Sequence, residues 1–364
     1  MLKYFAVKGF KGFEEKIELD FSNVRDYKFN TECIASNKVK NMILYGKNST
    51  GKSNLGLAIL DITAHLVDKN IGPKLYDYYL NTNSDKAEFK YIFDFDGDKI
   101  EYTYAKKDAR ELIFEKLLLN DELILHHNYV AQAGYYTGLK ELAPTLNYSF
   151  FSDGSILRYA LNNTALSKEH PLYKFVSYIS KMLWFRTLDE NRYIGYKKNS
   201  DDYITYIFEQ ETLSEFQLLL EKIGINEKLV VKEDTDGNKK LYFDNKKPLP
   251  FFNVASSGTK ALYTFFYWYK TSFDATFMYI DEFDAYYHYE LSEIIINLLK
   301  KMPTTQSIVT THNTNLLTNR IMRPDCYFIL SPEKLVNIAD ATRRELREGH
   351  NLEKLYMAGE FYGQ

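Results

Sequence analysis

Gly46-Lys47-Asn48-Ser49-Thr50-Gly51-Lys52-Ser53 decides the reading of this 364-residue chain. It fits G-x-x-x-x-G-K-[ST], in which each part has a physical task. Glycines let backbone N–H groups converge on phosphate oxygens. The helix that opens after Gly51 adds partial positive charge. Lys52 is placed to reach the β and γ phosphates, and the Ser53 hydroxyl to ligate Mg²⁺. Lys47, Asn48, Ser49 and Thr50 supply the backbone between the two glycines. The flanks agree with a strand–loop–helix unit. Val39 to Tyr45 reads as a buried strand running into Gly46, and beyond Lys52 the residues Leu55, Ile59, Ile62 and Leu66 recur on one helical face as far as Val67.

Two later strand ends carry matching chemistry. Phe277-Met278-Tyr279-Ile280-Asp281-Glu282 is an apolar strand closed by two carboxylates. Alone, such a pair would only cap the next loop. After a phosphate loop, Asp281 is the candidate for the Mg²⁺ shell and Glu282 for polarising the attacking water. Ser307-Ile308-Val309-Thr310-Thr311-His312 is a second apolar strand with a polar end. A lone histidine there is more often structural. One helix and one strand after the acid pair, His312 is expected beside Glu282 and facing the γ-phosphate. Ala255-Ser256-Ser257-Gly258-Thr259 precedes the helix leading into the acid-pair strand. A hydroxyl-rich turn at a helix start is an anion site or simply an N-cap, and in isolation the cap is the simpler reading.

Around these motifs the chain divides in three. Residues 1–126 read as the first part of a phosphate-loop domain. They hold strands at 2–8 and 16–21 around Gly9–Phe13, the phosphate loop, and a β-subdomain with a hairpin at Asp96-Gly97 and further strands around Asn120-Asp121. Residues 127–225 are irregular and mostly helical, clearest over Ser214–Ile223, and read as an inserted lobe. Residues 226–364 open with a hairpin at Asp236-Gly237 and then alternate helix and strand, which implies a parallel sheet covered by helices. The predicted fold class is α/β, a P-loop NTPase with a mixed sheet, an antiparallel β-subdomain and an inserted helical lobe.

Composition sets outer bounds. With 45% hydrophobic and 26% charged residues the chain can bury a sizeable core. Its 46 basic against 49 acidic residues do not advertise a nucleic-acid binder. Two cysteines, Cys33 and Cys326, suit a reducing compartment. The N-terminus lacks a signal-peptide pattern and no apolar run approaches a membrane span, so a cytoplasmic protein with no membrane contact is expected. No long heptad array separates Lys52 from Ser256.

The four motifs in this order resemble the ABC-type ATPases, particularly the RecF, SMC and OLD branch. In that branch a Leu-Ser-Gly-Gly-Gln signature turn lies where Ala255–Thr259 stands here. The resemblance makes Ser256 the signature serine and Gly258 the second signature glycine, with Ser257 in place of a glycine. Phe5 to Phe13 looks like the branch's first strand and turn, which implies Lys11 near the nucleotide. Asp284 suits the loop that crosses to a partner subunit, and His288 a histidine just after it. No glutamine is assigned to the family's Q-loop. Arg323 to Phe328 and Asn351 to Phe361 resemble the end of the AbiLi/RloA group of abortive-infection AAA ATPases.

That resemblance implies an ABC-type ATPase head using ATP and Mg²⁺, with two copies closing around the nucleotide. Lys52, Ser53, Asp281, Glu282 and His312 would act in cis, and Ser256, Ser257 and Gly258 in trans. It further implies a separate effector protein under nucleotide control, in antiphage defence. The alternative is a RecF-like maintenance ATPase that clamps DNA, and a third reading is a scaffold that binds ATP without turnover, against which an intact Glu282 argues.

Overall fold

Asn41–Tyr45 is a run of five buried residues, and such a run belongs inside a sheet covered on both faces. The computed structural model describes residues 1–67, 74–148, 154–187, 192–195, 200–233 and 237–361. In it Asn41–Tyr45 lies in a seven-stranded sheet ordered Tyr193–Gly195, Met182–Arg186, Phe277–Asp281, Gln306–Thr311, Asn41–Tyr45, Tyr327–Leu330 and Leu335–Asn337. The five interior strands are parallel and the two edge strands antiparallel. Parallel strands bring their C-terminal ends to one sheet edge, the position where open α/β sheets bind ligands. The phosphate loop, the acid pair and His312 all leave the sheet there.

The helix after the loop spans Lys52–Val67 and is buried around most of its circumference. Gly56 makes this close approach feasible: a Cβ there would come within 2.8 Å of both the Tyr279 and the Trp184 rings. Its other side meets a second, antiparallel sheet of seven strands, ordered Ala133–Tyr135, Glu122–Asn128, Leu112–Leu119, Asp98–Lys106, Ala87–Phe95, Leu2–Lys8 and Ile17–Asp20. Ala87–Phe95 alternates buried and part-exposed residues along its length, so Phe89, Tyr91 and Phe93 face the helix side. Tyr91 donates to the Ala58 carbonyl and Tyr76 to the Leu57 carbonyl, both at the helix. The hairpins turn on Asp96-Gly97 (φ 58° and 101°) and Asn120-Asp121 (φ 51° and 68°), two-residue turns that need positive φ at both positions.

Residues 127–225, expected to be mostly helical, contain helices Thr137–Leu142, Ile156–Asn162, Pro171–Ser180 and Gln210–Lys222. They also contain Met182–Arg186, which is not peripheral: it pairs in parallel with the acid-pair strand, Met182 opposite Phe277 and Arg186 opposite Asp281. Four consecutive apolar residues carry no helix or strand period, so the sequence pattern alone could not separate the two. The turn at Asp236-Gly237 lies partly outside the described residues. Its flanks Leu229–Glu233 and Lys239–Phe243 pair antiparallel, and Leu249–Pro250 adds a third strand. Cys33 and Cys326 are buried free thiols. Among the described residues no helix is long and apolar enough to cross a membrane.

Candidate functional site

The loop from Gly46 to Ser53 is shaped by its own backbone. Ser49 takes φ 64° and Gly51 φ 100°, and a Cβ on Gly51 would lie 2.7 Å from the Phe13 ring. Only glycine meets both demands. The Thr50 hydroxyl donates to the Lys47 carbonyl at 2.9 Å. Lys47, Asn48 and Ser49 are exposed, whereas the Lys52 side chain is buried under the loop. Its ammonium donates to the carbonyls of Gly46 (2.8 Å) and Lys47 (3.1 Å). Burial pushes its pKa down, opposed by the nearby carboxylates of Asp281 and Glu282.

The Lys52 ammonium also lies 2.9 Å from His312 Nε2. A lysine only donates, so Nε2 accepts and the ring proton sits on Nδ1. Desolvation lowers the His312 pKa and the Lys52 charge lowers it further, which keeps the ring a neutral acceptor at pH 7. His312 is thus brought to the phosphate loop itself.

Asp281 ends its strand fully buried, accepting from Thr310 Oγ1 at 3.0 Å. Glu282 follows in the left-handed region, φ 52°, rare for a residue with this side chain. Three contacts hold it there. Its N–H donates to Thr310 Oγ1 at 2.7 Å, its carbonyl accepts from Thr187 Oγ1 at 2.8 Å, and Phe283 N–H donates to the Thr310 carbonyl at 3.2 Å. Strain held by surrounding structure is a pointer to a functional position. The Tyr279 hydroxyl donates to the Lys52 carbonyl and ties the acid-pair strand to the loop.

Arg186, not singled out by the sequence, lies at the centre of this group. Its Nε donates to Asp281 Oδ2 at 3.0 Å, its Nη2 to Ser53 Oγ at 2.8 Å, and Nη2 stands 3.8 Å from Glu282 Oε1. The only sequence signal for it was a basic residue closing a short apolar run. The contacts answer whether the site suits Mg²⁺. Ser53 Oγ and the Asp281 carboxylate converge on one cation, so a hard divalent ion finds two oxygens there and would take the rest from phosphate and water. Among the described residues no cluster of three or more His, Cys, Asp or Glu side chains could hold a metal alone.

Other expected site residues lie further out. Lys11 sits at φ 48° in the turn after the first strand, with its ammonium bound to the Asp77 carbonyl at 2.7 Å, and burial lowers its pKa. Its neighbours reach the loop: Phe13 lies against Gly51, and Gly12 faces Asn54. Ser256 is the N-cap of helix Ser257–Thr271, accepting from Thr259 N–H at 3.1 Å. Ser256 and Ser257 are exposed, and Gly258 is held against the Tyr286 carbonyl, 2.9 Å from where a Cβ would stand. Ser256, Gly258, Tyr286, Tyr287 and His288 share a cavity of about 570 Å³, separate from the residues around Lys52.

Asp284 shows how the loop after the acid pair is tuned. Its carboxylate accepts from Thr311 Oγ1 at 2.6 Å, and burial raises its pKa to about 6. The native state therefore keeps a proton that the unfolded chain, near 3.9, has released, so stability falls as pH rises from about 4 to 6. Asp284→Asn keeps an acceptor for Thr311 without the charge. It should raise stability at pH 7.5 by about 2 kcal/mol and by much less at pH 4.5, in urea melts at both pH values. Equal gains at both would refute the assignment.

A family described as "AAA domain, putative AbiEii toxin, Type IV TA system" matches residues 42–318. Among curated proteins no relative matches. Solved structures similar to the chain include an SMC head bound to the C-winged helix domain of ScpA (17% identity, 92% of this chain and 96% of that one, TM-score 0.44). The SMC head domain from Thermotoga maritima (15%, 93% and 98%, TM-score 0.43) and RecF with ATP (13%, 92% and 98%, TM-score 0.41) are similar too. The family match spans well over half of the chain and contains the phosphate loop, the helix-capping Ser256 turn, the acid pair and His312, so the chain belongs to this AAA family.

Proposed function

We propose that the protein binds ATP with Mg²⁺ and hydrolyses it. One observation carries the reading: Lys52, Ser53, Asp281, Glu282 and His312, distant in sequence, meet at the ends of adjacent parallel strands, where bonds of 2.8 to 3.0 Å join Lys52 to His312 and Arg186 to both Asp281 and Ser53, with Glu282 3.8 Å from Arg186. Lys52 would leave the loop carbonyls for the β and γ phosphates. Mg²⁺, held by Ser53 and Asp281, would neutralise charge on the phosphate oxygens. Glu282 would orient and deprotonate water in line with the γ-phosphate, and neutral His312 would fix that end of the site through its Lys52 bond.

The site is completed by a second copy. In one chain Ser256 and Gly258 line a cavity that Lys52 does not reach, and the exposed residues Ser256 and Ser257 at the start of a 15-residue helix suit a phosphate presented by a partner. ATP would then join two heads, and hydrolysis would release them. The family description names a toxin–antitoxin system, which supports a defensive setting in which nucleotide state controls a separate effector protein.

Light scattering on Glu282→Gln with and without ATP and Mg²⁺ tests this. The mass should double on ATP addition, and adding Ser256→Arg should abolish the doubling. An unchanged mass with ATP demonstrably bound would remove the shared site and leave Ser256 as a helix cap.

A further inference from the structure

Asp281 is a buried carboxylate, and a buried charge needs a counter-charge. Arg186 supplies it, and the same guanidinium takes the Ser53 hydroxyl. Those two oxygens are the pair assigned above to Mg²⁺. Resting on that reading, we propose that Arg186 is the chain's own counter-cation at the metal position, and that Mg²⁺ and the Arg186 guanidinium are alternatives there.

The geometry makes the two exclusive. The guanidinium approaches Asp281 Oδ2 at 3.0 Å and Ser53 Oγ at 2.8 Å, the same two oxygens that would hold the metal. Mg²⁺ demands oxygens at about 2.0–2.1 Å in an octahedron and cannot share that volume with a cationic fork. Two positive groups in contact would also repel. Mg²⁺ can therefore load only when Arg186 releases Ser53. The arginine has room to do so, since its side chain is 25% exposed. Mg²⁺ alone competes poorly against this bound cation. Metal carried in on a nucleotide competes better, because the phosphates add oxygens to its shell and offer the displaced guanidinium a new partner. Without metal, Arg186 joins Lys52 as a second cation beside the phosphates.

Binding of fluorescent mant-ADP to the full chain, followed in EDTA and across a Mg²⁺ series, tests the exchange. The parent should bind in both conditions. Arg186→Gln should bind about tenfold more weakly in EDTA, having lost one charged donor, and reach half-saturation at about tenfold lower Mg²⁺. Arg186→Lys keeps the charge without the fork and should fall between, which covers the case in which the glutamine variant folds poorly. Thermal melting in Mg²⁺ without nucleotide gives a second readout: the melting temperature of Arg186→Gln should rise with Mg²⁺ and the parent's should not. If both variants match the parent in EDTA affinity and in half-saturating Mg²⁺, the exchange is wrong and the nucleotide site stands. If the parent binds no nucleotide in either condition, the nucleotide site itself falls, and the exchange with it.

Discussion

Glu282→Gln is expected to lower the rate of ATP hydrolysis by about 10²–10⁴-fold, the usual contribution of a positioned general base, and to leave nucleotide affinity nearly unchanged. The expectation follows from where the residue sits. On the proposed reading Asp281 and Ser53 would hold the cation, and Lys52 would serve the phosphates. Glu282 follows Asp281 on a left-handed backbone and keeps its carboxylate 3.8 Å from Arg186, where no hydrogen bond ties it to Ser53 or Lys52 among the described residues. A carboxylate there, not needed to bind the phosphates, would act on water. The amide of glutamine fits the same volume and hydrogen bonds but does not take a proton at neutral pH. Loss should therefore appear in kcat and not in binding, the pattern of an interaction made only in the transition state. Single-turnover hydrolysis and mant-ATP titration, run on the same preparation, separate the two. A variant that hydrolyses ATP at the parental rate would remove Glu282 from the chemistry.

What the sequence revealed depended on whether a signal was local. The phosphate loop was legible because one turn must satisfy glycine geometry, a lysine and a hydroxyl within eight residues. The helix Lys52–Val67 was legible at both ends, and so were the hairpins, whose Asp-Gly and Asn-Asp pairs supply positive φ. The ends of Phe277–Asp281 and Gln306–Thr311 could be read because apolar runs closed on polar residues. Arg186 escaped because its meaning is wholly non-local. It ends a short strand that no periodicity identifies, and the pairing of Arg186 with Asp281 spans 95 residues. Thr310 and Thr187 escaped for a related reason. Their part is to hold the backbone of Glu282 in a rare conformation, and no sequence pattern predicts that a glutamate will need it. The Ser256 turn shows the opposite limit. Its capping bond lies within one helix turn and was readable, whereas the role proposed for it toward a second copy would depend on a surface one chain does not complete.

Lys106→Met is expected to destabilise the fold by about 3–5 kcal/mol, the range for breaking a buried ion pair by removing one partner. Lys106 Nζ stands 2.7 Å from Asp61 Oδ2, and both side chains are 2% exposed. Asp61 lies on the phosphate-loop helix and Lys106 on the antiparallel sheet that covers it, so the pair joins the two layers. Methionine matches the stem of lysine in volume, which limits the packing loss. What remains is a buried carboxylate with the hydroxyls of Tyr104 (2.8 Å) and Tyr79 (3.0 Å) as its donors, and neutral donors do not replace a cation. Asp61→Asn added to Lys106→Met removes the stranded charge, so the double variant should be more stable than Lys106→Met alone. Urea melts of the parent, both single variants and the double variant close the cycle and give the coupling directly. If Lys106→Met lies within 1 kcal/mol of the parent, tyrosine donors and water satisfy Asp61 and the pair is not what holds the helix. If the loss is as large as expected, nucleotide should recover part of it, because a ligand at 100 times its Kd stabilises the native state by about 2.7 kcal/mol. The recovery would show that the phosphate loop still forms on a helix that has lost its anchor to the sheet behind it.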